Sequence, residues 1–145
     1  MAKFKYSMQN ILEIKMKLEK KKKNEFSIAN RKYQTEKDRL DELVLKRVGY
    51  ETRLKESLCG ELNIRDINNL KKDINSIKSA IRTQLSNVKK AEDELEIKRY
   101  ALNELMKERK THEKLREKKF DEFQKEERDN ESKEIDQLVS FTYNN

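Results

Sequence analysis

The sequence contains no proline and only two glycines, so almost nothing in it interrupts a helix. Proline removes a backbone donor and clashes with the preceding turn, and glycine costs a helix interior about 1 kcal/mol relative to alanine. Tryptophan is absent as well, and the hydrophobic set makes up 34% of 145 residues against 43% charged. That is too little apolar material for an enclosed globular core of this length, yet its spacing is too regular for simple disorder. No apolar run approaches the roughly 20 residues needed to cross a bilayer. The opening MAKFKYSMQN lacks the apolar core of a secretory signal, so a cytosolic protein is expected. The single cysteine, Cys59, makes neither an internal disulfide nor a zinc site and reads as a reduced intracellular thiol.

What the sequence has in abundance is charge of both signs. Its 35 basic and 28 acidic residues leave a formal net charge of +7, and the two signs are interleaved. A nucleic-acid surface is normally less diluted by acid and carries exposed aromatics or glycine loops, so no nucleic-acid partner is expected. Attraction to an anionic surface, whether a membrane face or an acidic protein, stays open.

The apolar residues of the second half recur in alternating steps of three and four: Ile67, Leu70, Ile74, Ile77, Ile81, Val88, Ala91, Leu95, Leu102 and Leu105, interrupted by Gln84 and Lys98. Sustained a and d positions of this kind mark a helix with one narrow apolar seam, here predicted from residue 64 to about 138. The first half carries a weaker copy through Phe26, Ala29, Tyr33, Leu40, Leu43, Tyr50 and Leu54, with Glu36 and Arg47 as polar breaks. Upstream, Phe4, Met8, Ile11 and Leu18 are expected to continue it after a one-residue slip across EKKKKNE, residues 19–25. The first helix is predicted from about residue 4 to about 57, with Gly49 a tolerated soft spot inside it.

Between the two lies LCGELNIRD, residues 58–66, read as the bend of a hairpin near residues 58–64. Gly60 supplies the stop, as the residue most easily placed in a left-handed conformation, and Asn63 with Asp66 resembles an N-cap followed by an acidic first turn. A short connection makes the helices antiparallel, so the fold class is all-α: two long helices in one antiparallel coiled-coil hairpin of about 80 Å. Facing a and d positions requires paired residue numbers to total about 124, with the centre of the bend near Leu62. Leu54 then meets Leu70, Tyr50 meets Ile74, Leu43 meets Ile81, Tyr33 meets Ala91, and Ala29 meets Leu95.

Past Leu105 the seam turns polar at Arg109, His112, Arg116 and Lys119, so Met8 and Leu12 face Arg116 and His112. The open end of the hairpin is expected to be poorly closed. Its apolar residues Phe4, Met8, Ile11, Leu12, Ile14, Leu115, Phe120 and Phe123 either form a looser seam or are offered to another protein. The run Lys20 to Lys23 beside them is a solvated helix face or an aid to electrostatic steering. Residues 129–145, DNESKEIDQLVSFTYNN, turn acidic and then apolar, compatible with a helix that docks back or with a tail that folds only on a partner. His112, the only histidine, has no cysteine or second histidine to share a metal. Without a cleft, no carboxylate pair, glycine-rich phosphate loop or activated serine or cysteine suggests catalysis, and no cofactor is expected.

The chain resembles the flagellar FliJ family, small antiparallel coiled coils of the bacterial flagellar export apparatus. The likeness rests on FKYSMQNILEIKMKLEKKKKNEF (residues 4–26), on a bend near the middle, and on ELMKERKTHEKLREKKFDEFQKEERDNESKEIDQL (residues 104–138). It implies a non-enzymatic protein resembling the central stalk of rotary ATP synthases. Such a protein inserts into a hexameric export ATPase and contacts the cytoplasmic domain of the export gate and the export chaperones. It would lie in the cytoplasm, peripheral to the inner membrane through these partners. Carried onto this chain, the ring contact falls on Phe4, Met8, Ile11, Leu12, Leu115, Phe120 and Phe123, and the gate contact near Arg47, Tyr50, Leu54, Ile74, Ile77 and Ile81. An adaptor or oligomerising coiled coil, and the equivalent stalk of a virulence-type secretion system, are the competing readings.

Overall fold

The computed structural model describes residues 3–61 and 63–144 and contains two α-helices, α1 (Gln9–Cys59) and α2 (Ile64–Asn144), packed against each other with no strand among the described residues. This is the all-α helical hairpin that the heptads predict. Most of the stability of the two helices, 51 and 81 residues long, comes from packing their apolar faces together rather than from propensity.

α1 is entered through a turn in which the Gln9 amide donates to the Tyr6 carbonyl at 3.0 Å, leaving Phe4 in the irregular segment ahead of the helix. α1 ends at Cys59, and Gly60 does not adopt the left-handed conformation expected of it; no described residue has a positive φ. The stop therefore owes nothing to glycine's special backbone freedom. The restart is explicit: Asn63 Oδ1 accepts from the amides of Arg65 at 3.1 Å and Asp66 at 3.4 Å, while its carbonyl accepts the first helical bond from Ile67 at 3.0 Å. That is an N-cap, with Asp66 as the acid of the first turn. Leu62, the expected centre of the bend, lies outside the described residues.

Contacts divide the chain into two compact units, one of residues 22–101 and one joining residues 1–21 to 102–145. In the first, Ala29, Ile74, Ile77, Ala91 and Leu95 are buried, and Tyr33, Leu43, Tyr50, Leu54, Leu70 and Ile81 are half-buried. The polar breaks find one another. Gln84, itself buried, donates to the Glu36 carbonyl at 2.8 Å and the Glu36 carboxylate at 2.5 Å, and Lys98 pairs with Glu25 at 3.4 Å. Together with Lys32–Glu94 and the Arg99 guanidinium over Phe26, these pairs have residue numbers totalling 120 to 126, around the expected 124.

In the second unit Leu12 and Leu102 are buried, and so is Glu19. The expected slip of frame in α1 does not occur. The inward positions are Leu12, Lys15 and Glu19, in unbroken continuation of the downstream spacing, and Ile11 and Leu18 lie exposed. The physical reason is on the facing helix: Lys15 pairs with Glu108 at 2.6 Å and Glu19 with Arg109, so charged residues fill the seam with partners.

Candidate functional site

The residues read as a ring contact fall in the second unit, and three of the seven, Phe4, Phe120 and Phe123, meet there. Phe4, carried back over α2 by the turn before Gln9, lies edge-on to Phe120 with ring centroids 5.1 Å apart and tilted against Phe123 at 5.6 Å. Arg116 stands over the Phe4 ring at 6.0 Å. Aromatic pairs of this geometry add about 0.5–1.5 kcal/mol beyond the area they bury. The open end is therefore closed by an aromatic cluster, correcting the expectation of poor closure; counting seam positions alone overlooks a non-helical Phe4 folding over them. Beside it a groove of about 410 Å³ runs between Lys3, Tyr6 and Ser7 on one wall and Lys119, Glu122 and Glu126 on the other.

Of the remaining predicted residues, Leu12 is buried between the helices and presents no surface, while Met8, Ile11, Leu115 and Phe120 are each exposed by roughly two fifths. Arg109 links two carboxylates, the buried Glu19 across the seam and Glu113 one turn along at 2.8 Å. The hydrogen bond to Glu19 first, then that to Glu113, holds its guanidinium above the ordinary arginine pKa. His112 is half-buried with Nδ1 unpartnered, and the described residues hold no cluster of three or more His, Cys, Asp or Glu placed to bind a metal.

The residues read as a gate contact lie in the other unit, largely inside it. Ile74 and Ile77 are buried, Tyr50, Leu54 and Ile81 are half-buried in the same packing, and Arg47 ion-pairs with Glu51 on its own helix at 2.9 Å. What that region shows outward is Val44, Leu45 and Val48, all exposed. Heptad reasoning passes over these three because it ranks residues by fit to the seam. The signal for them was their apolar character off the seam.

A family model described as flagellar FliJ protein matches residues 4–145. The chain belongs to the FliJ family. No curated protein and no solved structure matches it. FliJ membership makes the chain a component of the flagellar export apparatus, in a family that is structural and export-associated. No helix among the described residues is long and apolar enough to cross a membrane.

Proposed function

We propose that this FliJ protein is the non-enzymatic central stalk of the hexameric export ATPase, coupling the ring to the export gate and to substrate chaperones from the cytoplasmic face of the inner membrane. The observation that carries the reading is the paired end of the second unit. There Phe4, Phe120 and Phe123 form one aromatic cluster and Met8, Ile11 and Leu115 stay exposed near it. Apolar residues offered from a scaffold this charged are a contact surface for protein.

The chemistry asked of the chain is differential contact. An asymmetric helix pair inside a symmetric ring touches different subunits differently, biasing their nucleotide states and their assembly, while hydrolysis belongs to the ring. Leu12, Ile74 and Ile77 hold the two helices together in this scheme, and the gate-facing contact falls to the exposed Val44, Leu45 and Val48 beside Arg47.

The test is the hydrolysis rate of the cognate ATPase with and without the protein, at ATPase concentrations straddling hexamer assembly. Stimulation should be largest where assembly is limiting. Met8→Glu or Leu115→Glu should abolish it while helicity by circular dichroism stays unchanged. No stimulation by the folded wild-type chain would move the assignment to an adaptor.

A further inference from the structure

The last stretch of α2 has no partner inside the chain. Every described side chain from Arg128 to Tyr143 is exposed, and five of them are large and apolar: Ile135, Leu138, Val139, Phe141 and Tyr143. With Phe4 against Phe120 and Phe123 and Lys3 beside Glu126, α2 residues beyond Glu127 have passed the first described residues of the chain, and the helix runs on unbroken to Asn144. The tail therefore does not dock back. A solitary helix of this length is marginal in water, and an apolar arc on a chain of mean hydropathy −1.16 needs a cover.

The same unit carries a second bare surface, created by the unslipped frame of α1. Ile11, Ile14 and Leu18 are exposed on one side of the helix in steps of three and four. Ile135, Leu138 and Thr142 repeat those steps on the tail. The charges are opposite: residues 3–21 hold six lysines against two glutamates, and residues 124–144 hold six acidic residues against three basic. At 100° per residue, Lys17 and Lys21 border the first stripe, and Glu134 borders the second. Two stripes of equal step, apolar except at Thr142, with opposite charges along their borders are the features that pair helices in a coiled coil.

We propose that the chain forms a twofold dimer in which the α2 tail of each copy, residues 124–143, docks on the Ile11, Ile14 and Leu18 face of the other. Each copy presents both surfaces, so a single rotation satisfies both contacts and closes the assembly. The helical part of the receiving segment, from Gln9 to residue 21, is about 20 Å long at 1.5 Å per residue, so it takes the part of the tail around Ile135 to Thr142 rather than its whole length. Ile11 is shared with the ring-facing surface, which makes the dimer the form not engaged in the ring.

Sedimentation equilibrium of the full chain should show a mass rising with concentration from 17.5 kDa toward twice that value, with association weakened by salt. Leu138→Glu and Ile14→Glu should each leave a monomer of unchanged helicity. Lys17→Glu with Lys21→Glu should weaken association by about tenfold, and adding Glu134→Lys should restore part of it. In a Cys59→Ser background, mixed Ile14→Cys and Leu138→Cys chains should cross-link to one another under air oxidation. A monomer at every concentration overturns the proposal. So does a dimer that survives either Leu138→Glu or Ile14→Glu. Neither result bears on ATPase stimulation, which is measured separately.

Discussion

The unit of residues 22–101 and the unit joining residues 1–21 to 102–145 use the same two helices for different ends. The first puts its small and branched apolar residues inward, Ala29, Ile74, Ile77, Ala91 and Leu95, and spends one buried polar layer, Gln84 with Glu36, on fixing alignment. The second buries, among its described apolar residues, only Leu12 and Leu102, seats the Glu19–Arg109 pair between its helices, and shuts its end with three phenylalanines. Ile11, Ile14 and Leu18 on α1 and Ile135, Leu138 and Phe141 on α2 are exposed. Burial holds helices together in the one; in the other, charge and aromatics do so, which releases apolar surface for partners.

The largest expected effect tests that division directly. Leu95→Ala removes a buried side chain from the first unit and should lower unfolding free energy by about 3 kcal/mol, read from the urea midpoint. Ile135→Ala, on the exposed tail, should change it by less than about 0.5 kcal/mol at concentrations where the chain is monomeric. Equal losses at the two sites would break the comparison, because the tail would then be part of the fold.

The next effect sharpens it. Arg109→Ala leaves the Glu19 carboxylate buried without its cation, a change that costs 3–5 kcal/mol in an enclosed pair. Arg109 keeps some contact with solvent, so about 2 kcal/mol is expected here. Replacing both partners, Glu19→Leu with Arg109→Met, should recover most of that loss, since a charge pair inside a seam is replaceable by apolar side chains of similar volume. If the double variant is as unstable as the single one, the pair is not what aligns this unit. Denaturant titration of the three proteins side by side distinguishes the outcomes.

How much of this was legible in the sequence follows the same boundary. In residues 64–105 every a and d position from Ile67 to Leu105 is buried or half-buried, because there the apolar pattern and the seam are one and the same. In residues 4–26 the rule that apolar residues go inside chose Ile11 and Leu18, whereas Lys15 and Glu19 occupy the seam. Only the partners Glu108 and Arg109, some 90 residues away in the chain, make that placement favourable. A pairwise electrostatic choice of this kind is invisible to a pattern read along one strand of sequence. The aromatic closure was missed for a related reason, since Phe4 reaches its site through a turn outside any helical period. The residues carried over for a gate contact included Ile74 and Ile77 because the seam was the only periodic signal in that stretch, and the exposed Val44, Leu45 and Val48 are apolar but lie off it.

The smallest effects ask whether the first unit takes its stability from the seam alone or also from its turn, and the two glycines with Asn63 separate these. Gly49 lies exposed inside α1, and a methyl group added there meets no atom within 4 Å. Gly49→Ala should therefore raise unfolding free energy by about 0.5–1 kcal/mol through helix propensity and a less disordered unfolded chain. Gly60 stands just past the end of α1 without a positive φ, and an added methyl would meet only the Glu56 carbonyl oxygen at an ordinary 3.8 Å. Gly60→Ala should accordingly be within about 0.5 kcal/mol of wild type, although its position in LCGELNIRD made it the obvious turn residue. Asn63→Ala, by contrast, takes the acceptor from the Arg65 and Asp66 amides and should cost about 1 kcal/mol. Thermal unfolding of the three variants ranks them. A Gly60→Ala loss larger than that of Asn63→Ala would mean that the chain reverses direction through glycine's freedom after all, and that the capped start of α2 is a consequence of the turn rather than its cause.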